Sequence, residues 1–151
     1  MKEAVIVSTA RTGMGKSFRG ALNDTEAPAM GGHAVKAAVE RAGIDPASVE
    51  DVIMGAAAQQ GTQSYNLGRL CSVAAGLPDT TAGMTMDRQC SSGLMSIAWA
   101  AKSIMCDEMD VAVAGGLESI SLVQTKHKNS YRNVSQTVTD IDPTAYIPMI
   151  E

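Results

Sequence analysis

The chain has 151 residues, enough for one compact domain with a sizeable core. Hydrophobic residues make up 45% and charged ones 19%, with 14 Gly against 5 Pro, which excludes a disordered or collagen-like polypeptide. Aromatics at 3% and a formal net charge of −4 exclude a surface built to stack bases or hold a polyanion, and leave room only for a local phosphate patch.

Three Cys without a CxxC or CxxH arrangement, and only 2 His, supply neither zinc-ligand spacing nor a disulfide framework. The sequence therefore predicts no metal site and a reducing, cytoplasmic setting. No long apolar segment or Arg-rich presequence stands ahead of the first apolar run. No apolar run approaches the ~20 residues of a membrane span, so a membrane partner is not expected.

In chain order, Ala4-Val5-Ile6-Val7 is a continuous apolar run and predicts a strand buried on both faces. Gly13, Gly15 and Gly20 follow, among Lys16 and Arg19. A dinucleotide fingerprint would need Gly where Phe18 stands, and a P-loop would need Gly at Ala10, so the segment reads as an ordinary surface loop. From Thr25 to about Ala42, Val35, Ala38, Val39 and Ala42 recur at helical spacing, with Gly43 placed as a left-handed cap. Val52 to Gly55 predicts a second buried strand. Leu67, Leu70, Cys71 and Ala74 form the next helical face, closed by Gly76 and Pro78.

Ala82 to Met86 predicts a third strand, and Ser91 to about Met105 a helix apolar nearly all round, through Leu94, Ile97, Ala98, Ala101 and Ile104. Such a helix is expected in the middle of a structure. Val111 to Ala114, ending at Gly115-Gly116, predicts a fourth strand. Alternating strands and helices imply an α/β fold with a mixed or mostly parallel sheet. Beyond about Ile120 periodicity is lost, and Lys126, His127, Lys128 and Arg132 cluster among polar residues. The sequence divides at residue 118, with 1–118 a first domain and 119–151 the start of a loop-rich one.

The chemistry concentrates in Met86-Asp87-Arg88-Gln89-Cys90-Ser91-Ser92-Gly93-Leu94. Cys90 falls at a strand-to-helix turn, where unpaired N–H groups and the positive end of the helix dipole favour a thiolate. Ser91, Ser92 and Gly93 leave the approach uncrowded, and the same N–H groups suit a developing oxyanion. Asp87 opposes a thiolate unless Arg88 neutralises it. From these residues alone two readings stand, a reactive thiol and a packed one.

Gln89-Cys90-Ser91-Ser92-Gly93-Leu94 resembles the nucleophile signature of the thiolase family. Glu3 to Thr12 with Gly15-Lys16 resembles the family's first strand and loop, and Gly115-Gly116-Leu117-Glu118-Ser119-Ile120-Ser121 is similar to its Gly-Gly-x-Glu-Ser-Met-Ser segment. The resemblance runs in order from residue 3 to at least 121. It departs at Gly13, where Pro is usual, and at Asp87, where Asn is usual.

The resemblance implies a thiolase-like fold with a buried central helix and the start of a CoA-binding loop domain. It implies acyl transfer between Cys90 and coenzyme A: thiolytic cleavage of 3-ketoacyl-CoA, or the reverse Claisen condensation, through an acyl-thioester on Cys90. The Cys90 N–H would contribute to an oxyanion hole. Met149 would pack against the pantetheine arm, although the family's His-Met-Gly reads Pro148-Met149-Ile150 here. No cofactor is implied, coenzyme A being a substrate. Partners implied are acyl-CoA and CoA, a homodimer or homotetramer, and a C-terminal half that brings a Gly-His-Pro His, an Asn-Glu-Ala-Phe motif and a second Cys.

None of those three motifs occurs in this sequence, so the 151 residues are expected to be inactive alone. His33 and His127 are expected as surface or packing residues, and Cys71 and Cys106 as structural ones. Lys126, Lys128 and Arg132 suit either CoA phosphates or a solvated charge run. The competing readings are a non-catalytic thiolase-like acyl-CoA-binding protein and a ketoacyl synthase relative. A cysteine hydrolase of another fold lacks its signature elbow here.

Overall fold

The computed structural model describes residues 2–124, together with Asp140 and Pro143. Its elements are α1 (Ala27–Ala42), β1 (Asp51–Gly55), α2 (Leu67–Ala75), β2 (Ala82–Met86), α3 (Ser92–Met105), β3 (Ala112–Gly116) and α4 (Ile120–Val123). Short 3-10 turns occupy Pro46–Ser48 and Gly61–Gln63. The α/β expectation holds. The strands form one parallel sheet in the order β2-β1-β3.

The helices end where the sequence places their stops. Gly43 caps α1 in the left-handed region at φ 66°, and Gly76 caps α2 at φ 79°. Neither position suits a side chain, because a Cβ is strained there. At the other end of α2, the Asn66 side chain accepts from the Arg69 N–H at 3.3 Å and satisfies one orphan donor.

Alternation along β1 sorts the layers. Val52 and Met54 join Val35 and Val39 of α1 and Leu67 and Cys71 of α2 in the apolar core. Ile53, also fully buried, points to the other face, where α3 packs on the sheet. Burying Ile53 or Leu67 completely is worth about 1.5–3 kcal/mol each. The register sets Gly55 beside Met86 and Gly116, so all three strands end at one level. The connections leaving β1 and β2 run to opposite sides of β1, which makes this end a topological switch point, the usual place for a ligand in an open α/β sheet.

Two expectations need correction. Ala4–Val7 forms no strand, and Val5, Ile6 and Val7 are about three-quarters exposed. Its apolar composition is that of a doubly covered strand, but among the described residues nothing covers it. The segment is held at its ends instead: Lys2 pairs with Asp107 and Asp110, and Arg41 Nη1 donates to the Thr9 carbonyl at 2.9 Å.

The second correction concerns α3, which is not enclosed. Its buried face is made of small residues, Ser92, Ser96, Ala100 and Ser103, while Leu94, Ile97 and Trp99 face outward. Small side chains let this helix lie close on the sheet, and the bulky ones take the side with no cover among the described residues.

The sequence did not reveal α4. Its Leu122 and Val123 are buried, and Ser119 and Ser121 bond to Thr25 and Asn23 ahead of α1. Lys126, His127, Lys128, Arg132 and Met149 lie outside the described residues. Among the described residues no helix is long and apolar enough to cross a membrane, and no cluster of three potential metal ligands occurs.

Candidate active site

Cys90 stands exposed on the turn that links the end of β2 to the start of α3. The turn is built almost entirely from its own polar groups. Asp87 Oδ1 accepts from the Gln89 N–H at 2.7 Å, which curls the chain as it leaves the strand. Gln89 takes the left-handed conformation at φ 51°, a sparsely used state for a residue with a side chain. The Arg88 N–H donates to Ser92 Oγ at 2.8 Å, and Ser92 Oγ donates to the Gln89 carbonyl at 2.6 Å. The Ser91 and Ser92 N–H groups close back on the Arg88 and Gln89 carbonyls. Asp87, which the sequence offered as a charge acting against a thiolate, thus has a structural task in shaping the turn.

Glycines bring the helix start against the strand ends. A Cβ on Gly55 would overlap the backbone carbonyl of Ser92, and one on Gly116 would lie 2.7 Å from Gly93 Cα. Ser96 Oγ lies 2.7 Å from the carbonyls of both Gly93 and Gly115 and ties the first turn of α3 to β3. The N-terminus of α3, with Cys90 two residues ahead of it, is therefore seated directly on the carboxyl ends of β1 and β3. Sequence reasoning gave Gly55 and Gly116 no role. The Gly-Gly doublet closing an apolar strand was the available signal, since glycine inside a strand marks a close backbone approach.

A second element missed in the sequence is the Glu118 carboxylate, which accepts from the Ala57 N–H at 2.9 Å and the Ala58 N–H at 3.1 Å. Gln63, wholly buried, donates to Glu118 Oε1 at 2.5 Å and accepts from the Ser119 N–H. Glu118 sits within the quoted Gly-Gly-x-Glu motif, but nothing in the periodicity marks Gln63 as interior.

The remaining thiols and imidazoles separate from this turn. Cys71 is fully buried under Gly31, and burial pushes its thiol up to about 12, so it is a core residue without reactive character. Cys106 is exposed at the C-cap of α3, the opposite end of the helix from Cys90. His33 is exposed on α1. A cavity of about 440 Å³ opens between residues 10–17 and 116–121, lined by Arg11, Lys16, Leu117 and Glu118 among others; Cys90 does not line it.

Comparison with known proteins supplies the family. The model of the thiolase N-terminal domain matches residues 4–148. A 3-ketoacyl-CoA thiolase from Bacillus subtilis is 46% identical over 123 residues, covering 82% of this chain and 32% of its own length. An acetyl-CoA acetyltransferase from Escherichia coli is 41% identical over 145 residues, covering 93% of this chain and 36% of its own. Among solved structures, a thiolase from Ascaris suum in complex with coenzyme A superposes with a TM-score of 0.77 at 28% identity, over 89% of this chain and 33% of that one. The chain spans about a third of the length of these relatives. With the family model matched over residues 4–148 and a superposable fold, the chain belongs to the thiolase family, as its N-terminal domain.

Proposed function

We propose that this chain carries the nucleophile of a thiolase-type acyltransferase, with Cys90 as the acyl acceptor. The observation that carries the reading is the position of Cys90: exposed, ahead of a helix N-terminus, at the carboxyl ends of a parallel sheet. In the thiolytic direction Cys90 Sγ attacks the 3-keto carbonyl of a 3-ketoacyl-CoA. The bond between C2 and C3 breaks, acetyl-CoA departs with a proton at C2, and the acyl group stays on sulfur. The thiol of a second CoA then takes the acyl group and returns the proton to the enzyme. The Claisen condensation is the reverse. Each hard step is replaced by a thioester exchange. The Cys90 N–H, just ahead of α3, is proposed to help form one oxyanion hole for these tetrahedral states.

The names of the relatives support this substrate class, as does the coenzyme A bound to the Ascaris suum thiolase. Met149 is proposed to hold the pantetheine arm. The bare apolar side of α3, Leu94, Ile97 and Trp99, suits a further protein layer, consistent with a homo-oligomer of larger subunits. A cytoplasmic place in fatty acid metabolism is part of the same proposal.

With none of the Gly-His-Pro, Asn-Glu-Ala-Phe or second-Cys motifs among these 151 residues, Cys90 is proposed to perform one transfer and stop. Mixing the chain with acetyl-CoA is expected to release about one equivalent of free CoA and no more, and Cys90→Ser none. Absence of release, or equal release from the Ser variant, overturns the assignment.

A further inference from the structure

One carboxylate gathers the backbone N–H groups of the loop that follows β1. Beyond Gly55, the Ala57 and Ala58 N–H groups donate to the two oxygens of Glu118, at 2.9 and 3.1 Å. Gln63 donates to the same carboxylate at 2.5 Å and to the Ala58 carbonyl at 2.7 Å, and accepts from Ser119 N–H. On one side the loop is joined to the end of β2, by the Ala56 N–H donating to the Met86 carbonyl at 3.0 Å. On the other it meets β3, by the Leu117 N–H donating to the Gly55 carbonyl at 3.1 Å. Glu118, just past β3, thus holds the loop after β1 where backbone bonds join that loop to the ends of β2 and β3.

Those ends are the seat of the nucleophile turn. Gly55 bears on the backbone of Ser92 and Gly93 without room for a methyl group, and Met86 begins the Met86–Cys90 stretch. A shift in residues 55–58 is therefore transmitted to the start of α3 through backbone, with no side chain to absorb it. Loss of the carboxylate leaves two N–H groups without their acceptor and removes one of the two acceptors of the buried Gln63 amide, a strong incentive for such a shift.

Resting on the function proposed above, we infer that Glu118 is a positioning residue for acyl transfer: through Ala57 and Ala58 it fixes the Gly55 shelf, and so the placing of the Cys90 thiol and N–H about the acyl carbon. The requirement is for a carboxylate at this reach. Glutamine presents an NH2 group to one of the N–H donors, and aspartate withdraws the acceptor by one methylene.

The test compares the unaltered chain with Glu118→Gln and Glu118→Asp in two reactions followed by peptide-resolved mass spectrometry. One is acetyl transfer from acetyl-CoA to Cys90, which needs the thiol and the oxyanion donor in register. The other is alkylation of Cys90 by iodoacetamide, which needs an exposed thiol and its thiolate but no oxyanion donor. Both variants are expected to slow acetylation by about 10- to 100-fold, the scale of a misplacement approaching 1 Å. Cys90 alkylation should stay unchanged, and the buried Cys71 should remain protected from the reagent. Acetylation at the original rate overturns the inference. So does a parallel fall in both reactions, or exposure of Cys71 in both variants, since the carboxylate would then serve the fold at large. An unaltered chain that accepts no acetyl group overturns the proposed function and this inference together, whereas insensitivity to the Glu118 substitutions overturns the inference alone.

Discussion

Replacing Gly55 by alanine tests how closely the fold and the site are joined. The added methyl group would meet the carbonyl and carbon of Ser92 and lie 2.6 Å from the Gly93 nitrogen. These are backbone atoms of a helix start, so no rotamer change relieves the overlap. Overpacking of this kind costs about 1–3 kcal/mol, and the upper end applies where backbone must move. Burial of one methyl group returns about 0.8 kcal/mol. The smaller entropy of the unfolded alanine chain offsets a further 0.4–1 kcal/mol or so. The net loss is about 1–2 kcal/mol, which for a chain of this size lowers the melting temperature by roughly 2–8 °C. Gly13→Ala, with nothing within 4 Å of the new carbon, serves as the neutral control. Gly31→Ala is intermediate, because its clash is with the Cys71 and Leu117 side chains and helix propensity returns about 1 kcal/mol. Thermal unfolding of the three variants by circular dichroism, with acetylation of Cys90 in parallel, reads the effect. A Gly55→Ala chain that melts with the control and accepts acetyl groups normally would refute the argument that α3 is seated on the strand ends.

Three further outcomes are expected. Cys90→Ser should abolish acyl transfer while leaving the unfolding curve in place, since the side chain is exposed; a large loss of stability would show that the thiol packs. Cys71 gives a pH dependence. Its folded value, about 12, stands above the ordinary 9.0, so the stabilising preference for a buried neutral thiol is complete below about pH 9 and is lost as pH climbs toward 12. Urea midpoints should fall across that range and fall less in Cys71→Ala; equal slopes would contradict the assignment. Asp51→Asn should be neutral or stabilising at pH 7, because burial raises the Asp51 carboxyl and one of its oxygens has no hydrogen-bond partner. Destabilisation by more than about 1 kcal/mol would point to a charge-assisted contact instead.

Much of the fold was legible from local pattern. β1, β2, α2 and both glycine caps follow from apolar runs bounded by Gly and Pro, and those signals are carried by neighbours in sequence. What escaped depends on distant neighbours. Ala4–Val7 has the composition of a buried strand, but strand formation needs a partner edge, which no local pattern reports. The periodicity of α3 identified a helix correctly, whereas its serines rather than its leucine and tryptophan form the buried face, because glycine contacts with the sheet set the spacing. At the site, Cys90 was visible through its turn and motif. Gln63 was not, since its burial answers to Glu118 and Ser119, each about fifty-five residues away.

The most direct measurement is peptide mapping of the chain after incubation with acetyl-CoA. Cys90 as the acyl acceptor predicts one acetyl group on the peptide containing Cys90, removable by free CoA, with Cys71 and Cys106 unmodified. An unmodified Cys90, or acetylation of the likewise exposed Cys106 to the same extent, would contradict it.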